Sequence, residues 1–508
     1  MTGLQTDPQP SLPAFPGRRA CVIGAGLGGL ALAVRLQAAG IETVLVEAGG
    51  RPGGHARGED RDGFVFDSGP GALADPAALG ELWALGGEEL ADHVDLLAVQ
   101  PLRRFSWPDG TTFDLAADEA ALIREIARFA PEDLGGYEDY ARYAASAHDE
   151  VRARFGQQPM GDPLAMARAL PALARHQAWR RLDSLIAAHI ASPHLREALA
   201  FEALLTGGNP MRISAVHAAA HRTERAGGLW WPKGGMGALA GALAALFERL
   251  GGTLRLHDPA LHIHMLGNRA SEVETQSGWK ERFDAVASNA DVVHTYRDLL
   301  GESAYGAETA RKLARMDFSP GSFTVHFALE GSWPGIPHSM VLMNARFAGL
   351  MEDIFEHGVL PQDQLIVLTH PSVTDPSLAP EGKSVFSASI PVAHQGKLPL
   401  DWEQIGPLVE KRILDEIGRR LVPDIHDRIV TRFHVTPRDL ALEFNAHLGS
   451  AWGLEPSLTQ SWWLRPHNRD PRIANFYLAG ASTHPGAGVP GVLAGAKITA
   501  KLMLEELR

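Results

Sequence analysis

The chain reads as an α/β protein in which one parallel-sheet module is closed by segments far apart in the sequence. Three observations predict it. Residues 19–50, RACVIGAGLGGLALAVRLQAAGIETVLVEAGG, run as an apolar segment, a glycine turn, an Ala/Leu-rich helical stretch and a second apolar segment. From residue 476 the text FYLAGASTHPGAGVPGVLAGAKITAKLMLEEL again gives strand, glycine turn and helix. Between these ends the pattern changes from a helical block to short alternating segments, so the middle of the chain builds something other than the module.

Bulk properties bound the rest. A length of 508 residues exceeds one ordinary core and suggests roughly two to four domains. Hydrophobic residues at 45% and charged residues at 21% place the chain among folded proteins. A net charge of −13 without a Lys/Arg-rich block repels a phosphate backbone, so nucleic acid is not an expected partner. The single cysteine, Cys21, excludes an internal disulfide framework and a Cys-cluster metal site, fits a reducing cytoplasm, and is expected to be buried packing within its apolar strand. Residues 1–17, rich in Pro and polar groups, are expected to form a disordered tail and carry no signal-peptide pattern. No apolar run reaches the roughly 18–20 residues that span a bilayer, so any membrane contact is expected to be peripheral.

In order along the chain, residues 118–225 combine Ala, Leu, Arg and His at helical spacing and predict several helices. From Gly251 the segments TLRLH, ALHIHM, SEVETQ and RFDAVASN predict a meander of strands. Further strands are expected at SFTVHFAL and QLIVLTH, and a helix at WEQIGPLVEKRILDEIGRRL. No fixed-period repeat is present.

Gly24, Gly26 and Gly29 form G-x-G-x-x-G between the first strand and the first helix, and Glu47 ends the second strand. The first glycine permits the tight turn, the second lets backbone approach a pyrophosphate, and the third lets helix pack on strand. Free N–H groups at the helix start favour that anion, and Glu47 can accept from both ribose hydroxyls of an adenosine. The loop GGRPGGHAR, Gly49 to Arg57, selects FAD over NAD, being similar to the loop that lies along the ribityl chain in flavin amine oxidases. Gly480, Gly486, Gly488 and Gly491 leave backbone bare ahead of a small-residue helix, whose N-terminus can stabilise negative charge on a flavin's pyrimidine oxygens.

Together with FDSGP, GGNP, WWPKGGMGAL, ASNADVVHTYRDLL, LTQSWWLRPHNRD and ASTHPGAGVPGV, these stretches resemble the bacterial phytoene desaturases in order and spacing, from about residue 19 to the end. The resemblance implies a Rossmann-like FAD-binding domain assembled from discontinuous segments, with a mixed-sheet substrate domain and a helical membrane-facing subdomain. The expected boundaries are 18–75, 226–310 and 435–508 for the FAD-binding domain, 76–117 and 311–434 for the substrate domain, and 118–225 for the helical subdomain. It further implies insertion of trans double bonds into phytoene or a related C30/C40 isoprenoid, with FAD accepting hydride and oxygen or a quinone reoxidising it. Carried over, the cofactor-binding residues are Gly24, Gly26, Gly29, Glu47, Gly54, Gly480, Gly486, Gly488 and Val489, with Arg57 and Ala260 added.

Departures are visible. Gly53-Gly54-His55-Ala56 stands where the family commonly has Gly-Gly-Arg-Ala, leaving open whether Arg57 takes over a diphosphate contact. Gly69-Pro70-Gly71 replaces Gly-Pro-Thr, and Arg142 occupies a commonly acidic position. These changes leave substrate and regiochemistry open.

Hydride loss from an allylic carbon leaves a delocalised cation, so the flavin carries the chemistry and no strong base is demanded. The sequence shows no Ser/His/Asp array and no metal-ligand spacing, His447 and His484 are read as structural, and no catalytic residue is named. Residues 163–190 carry Leu164, Leu170, Leu173, Trp179, Leu182 and Ile186 interspersed with Arg168, Arg175, Arg180 and Arg181, which suits a helix lying in the headgroup zone at the inner face of the cell membrane. The competing readings are a carotenoid 3,4-desaturase or isomerase, an amine-oxidase or protoporphyrinogen-oxidase-like enzyme, and a flavin-free prenyl-lipid escort.

Overall fold

A computed structural model describes residues 17–152, 156–161 and 163–508, so all of the expected N-terminal tail except Gly17 lies outside the described residues. The first strand–helix–strand forms as expected: β1 Arg19–Ile23, α1 Leu27–Ala38 and β2 Glu42–Val46. Three later strands join it, β3 Thr253–Arg255, β4 Ala285–Ser288 and β5 Phe476–Leu478, in the order β3-β2-β1-β4-β5. All four pairings are parallel.

A parallel sheet must be covered on both faces, and the two faces of β1 go to different cores. Ala20 and Val22 pack with α1 and with the C-terminal helix α2, Val489–Leu507, while Cys21 and Ile23 pack with the three-stranded meander Ala260–Leu266, Arg269–Thr275 and Lys280–Arg282. Cys21 is therefore buried packing, its thiol pushed up by burial. The meander is shorter than the sequence predicts. TLRLH and RFDAVASN leave it, their strands becoming β3 and β4 of the parallel sheet. Short apolar strands look alike in either setting; the clue is that Ala285–Ser288 is buried at every position, as a central parallel strand must be.

A second, seven-stranded sheet stands apart, ordered Ile429–Val435, Gly321–Glu330, Lys383–Val392, Ile366–Thr369, Ser339–Leu342, Arg103–Ser106, Thr112–Leu115. Phe323, Val325, Phe327, Phe386, Ala388 and Ile390 on one face pack against helix Trp402–Arg420. The opposite face carries the half-buried Thr324, Ser387, Ser389, Val367 and Thr369. Strand alternation thus gives the sheet an apolar core side and a side of small residues.

Among the described residues, 118–225 is largely helical, as expected, but 163–190 is not one helix. It breaks into Pro163–Arg175 and Leu182–His189. Leu173, Leu182 and Ile186 turn into the interior, whereas Leu164, Leu170 and Trp179 are exposed, Trp179 at 67%. No described helix is long and apolar enough to cross a membrane.

Candidate functional site

The N-terminal glycines act by letting backbone touch backbone. Gly24 takes φ +95°, which favours glycine, and its N–H donates to the Val46 carbonyl at 2.7 Å, tying the turn to β2. A Cβ at Gly29 would lie 1.9 Å from the Gly24 carbonyl oxygen, so only glycine lets α1 descend this closely on the turn. Gly26 caps α1 and leaves its first amides bare. Glu47 follows β2, its two oxygens accepting from the N–H groups of Ala25 and Gly49, each at 2.7 Å.

Two further loops close on this turn. Gly53 N–H donates to the Ala25 carbonyl at 2.8 Å, and a Cβ at Gly54 would stand 3.2 Å from Gly26 Cα. The N–H groups of His257 and Asp258 donate to the carbonyls of Gly49 and Glu47 at 2.9 and 3.0 Å, which brings the strand opened by Ala260 to the same edge.

The C-terminal glycines arrive from β5, the edge strand on the far side of β4. Gly480 follows β5 with φ +92°, and Gly488, φ +85°, caps α2, with Val489 buried as its first residue. Gly486 takes φ +133° and lets Gly491 approach its carbonyl. Asn289, at the end of β4, lies between the two glycine regions. A Cβ at Gly28 would meet its Oδ1 at 2.6 Å, one at Gly26 its Nδ2 at 3.1 Å, and one at Gly480 its backbone oxygen at 3.0 Å. Two stretches more than 400 residues apart therefore share one wall. They meet at the carboxyl ends of β1 and β5, the parallel strands on either side of β4, and open α/β sheets bind their ligands at this end.

The bare α1 amides, the glycine surfaces that any side chain would fill, and the buried, unpartnered Asn289 Oδ1 fit a dinucleotide. The guanidinium of Arg57 pairs with Glu443 and lies 4.7 Å from the Phe444 ring centroid. His55 stacks on the same ring at 4.4 Å, with burial lowering its pKa to about 4. The ring-for-guanidinium change at position 55 thus joins Arg57 in one aromatic cluster.

The loop 67–71 joins this cradle to the seven-stranded sheet. Asp67 accepts from the N–H groups of Met236 and Gly237 at 3.1 Å each, capping helix Met236–Arg249, and burial raises it to about 7. Gly69 presses on the His55 carbonyl, where a Cβ would stand at 2.6 Å. Gly71 makes room for Thr369, whose Oγ1 would be 2.8 Å from a Cβ there. His338, buried with its pKa lowered to about 4, donates from Nε2 to the Gly71 carbonyl at 2.9 Å and accepts at Nδ1 from Thr374.

Four residues escaped the sequence reading. Asn289 and Arg465 lie inside quoted motifs, but their roles depend on neighbours remote in sequence. Glu455 is buried, 3.7 Å from Arg212, and raised to about 7 by desolvation. His338 lies in no motif. Of the two histidines read as structural, His447 packs edge-on against Phe318 at 4.8 Å, and the His484 carbonyl accepts from Asn468 Nδ2 at 2.9 Å.

A parallel sheet with two bare helix N-termini at one edge, together with a separate mixed sheet, defines a flavoenzyme-type oxidoreductase. Residues 27–504 match the family of flavin containing amine oxidoreductases. The chain is 44% identical over 490 residues to a lycopene-forming phytoene desaturase of Paracoccus sp., covering 96% of this chain and 98% of that one. It is 34% identical to a neurosporene-forming phytoene desaturase of Cereibacter sphaeroides, covering 96% and 95%. An oxidoreductase of Methanosarcina mazei shares the fold, with a TM-score of 0.61 at 17% identity over 96% of this chain and 100% of that one. The chain belongs to the flavin-containing amine oxidoreductase family and, within it, to the bacterial phytoene desaturases. FAD is accordingly its cofactor, as the glycine pattern leads one to expect.

Proposed function

We propose that this protein is an FAD-dependent carotenoid desaturase that introduces trans double bonds into phytoene or a related C30/C40 isoprenoid. The observation that carries the reading is the meeting of the Gly24–Gly29 and Gly480–Gly488 regions around Asn289 at one sheet edge. The greater identity to the lycopene-forming relative, 44% against 34% for the neurosporene-forming one, favours a long series of desaturations.

In this reading the bare amides of α1, with Gly24, Gly26 and Gly29, hold the pyrophosphate, and Gly54 leaves space beside it. Glu47 receives the adenosine ribose, with Ala260 on the same side. Arg57, fixed by Glu443 and Phe444, steadies the Gly53–Arg57 turn. Gly480, Gly486, Gly488 and Val489 border the ring. Bound FAD supplies the hydride acceptor. The protein's work is to orient and to exclude water. Thr324 Oγ1 and Ser389 Oγ share a hydrogen bond at 2.8 Å, and Ser387 Oγ pairs with His326 Nδ1 at 2.8 Å, which lowers the cost of laying an apolar chain along this face of the sheet.

The segments 18–75, 226–310 and 435–508 are assigned to the FAD-binding domain, 76–117 and 311–434 to the substrate domain, and 118–225 to a membrane-facing subdomain. Exposed Leu164, Leu170 and Trp179, interspersed with Arg168 and Arg175, support peripheral docking on the inner face of the cell membrane, where the substrate dissolves. Oxygen or a quinone reoxidises the cofactor, and nucleic acid is not a partner. Incubating the refolded protein and FAD with phytoene liposomes, and identifying products by mass, tests the reading. Stepwise loss of hydrogen pairs is expected; unchanged phytoene with conversion of an already coloured carotenoid would transfer the assignment to a 3,4-desaturase.

A further inference from the structure

Arg465 is 2% exposed, and no carboxylate among the described residues pairs with it. Its Nη2 donates to the carbonyls of Leu454 at 3.1 Å and Ala481 at 2.7 Å. Nε and Nη1 are buried without partners. Desolvation lowers its pKa to about 10, which still leaves it charged at neutral pH. A cation withdrawn from water without a counter-ion is costly, and folded proteins retain one where something else gains from its field. The guanidinium lies against the C-terminal glycine turn: a Cβ on Gly486 would stand 3.8 Å from its Cζ, Nε and Nη2. The neighbouring segment is laced to the same turn, with Asn468 Nδ2 donating to the His484 carbonyl at 2.9 Å and His484 N–H to the Pro466 carbonyl at 3.1 Å. The charge is thus fixed in place behind Gly480–Gly488.

We propose that Arg465 supplies the missing positive charge for the cofactor: its field favours the reduced, anionic flavin over the neutral oxidised ring and makes the bound flavin a stronger hydride acceptor. The inference rests on the reading that Gly480–Val489 borders the ring. In each desaturation one C–H bond breaks and its electron pair leaves with the hydrogen to the flavin. The adjoining carbon loses its hydrogen as a proton to solvent, a C=C bond forms, and one negative charge stays on the reduced ring. That charge is what Arg465 faces across a medium of low dielectric constant. The α2 N-terminus contributes a fraction of a charge, Arg465 a whole one.

The test is the midpoint potential of the flavin, with oxidised-FAD content as a separate readout, in the wild type, Arg465→Lys and Arg465→Gln. Gln keeps a donor for the Leu454 and Ala481 carbonyls but removes the charge. Arg465→Gln is expected to retain FAD while the reduced state is disfavoured about tenfold, a fall of about 30 mV. Arg465→Lys is expected to stay within about threefold of wild type. Arg465→Gln holding FAD at the wild-type potential would overturn the proposal. Should Arg465→Gln not fold, the wild type decides: a potential at or below that of free FAD in the same buffer overturns it, and one above it with Arg465→Lys unchanged supports it. Failure of the wild type to bind FAD would instead sink the ring-binding reading beneath it.

Discussion

Around the cradle, backbone meets backbone, and nearly every close approach is made by a glycine for which no other residue fits. The helical block 118–225 has such approaches too, Gly136 against the His189 carbonyl among them, but there one helical stretch divides its apolar residues between an interior and an open surface. Leu173 is 6% exposed, whereas Leu170, three residues earlier, is 47% exposed. The first region has no room for an added atom at Gly28 or Gly29, while the second has positions where an apolar side chain contributes little to the fold and is available for another purpose. Substitutions that add one methyl group to the cradle, or remove apolar groups from either side of the helical block, therefore test whether the two regions differ as described.

The largest effect is expected at Gly29→Ala, whose methyl group collides with the Gly24 carbonyl oxygen. Stability should fall by about 3 kcal/mol or more, and the purified protein should lose its flavin, read by urea unfolding and by absorbance. A Gly29→Ala protein that keeps full flavin would contradict the close approach. Leu173→Ala, in the helical block, should cost about 2–3 kcal/mol as its packing is lost. Glu47→Ala should weaken FAD by about 30-fold, equivalent to about 2 kcal/mol for a charged acceptor lost at the ribose and turn amides, measured by flavin titration.

Much of this contrast is legible in the sequence. The cradle is readable because steric need writes glycine at fixed spacing, as at Gly24, Gly26 and Gly29, and because Glu47 must follow the second strand. β3 and β4 were misplaced because a short apolar strand does not carry the identity of its partner. Arg465 and Asn289 were not singled out because their meaning lies in what folds against them: a carbonyl pair and a glycine turn in one case, two glycine regions in the other. In residues 163–190, helical spacing shows an apolar face, but it does not tell Leu173 from Leu170, since only tertiary packing decides which is covered.

Smaller effects sharpen the comparison. His338 is held neutral, its pKa lowered by burial from 6.5 to about 4, so the unfolded chain takes up this proton first as pH falls. Its contribution to stability is present above about pH 6.5 and is lost as pH drops toward 4, by linkage. His338→Gln, which cannot titrate, should reduce the slope of urea-unfolding free energy against pH in this window by up to about one proton, and equal slopes would contradict the assignment. Smallest in stability is the double change Leu170→Ser with Trp179→Ser, expected to stay within about 0.5 kcal/mol while binding to anionic vesicles falls several-fold in flotation. Undiminished flotation would remove the reason for those side chains being exposed.

The most direct measurement is a titration of flavin-free protein with FAD, followed in the flavin absorption bands. One FAD per chain, with the ring bands shifted and sharpened as water is excluded, is what two glycine regions closing on a single isoalloxazine require. Binding of ADP as tight as that of FAD, with ring bands identical to those of free flavin, would mean that only the N-terminal half of the site exists.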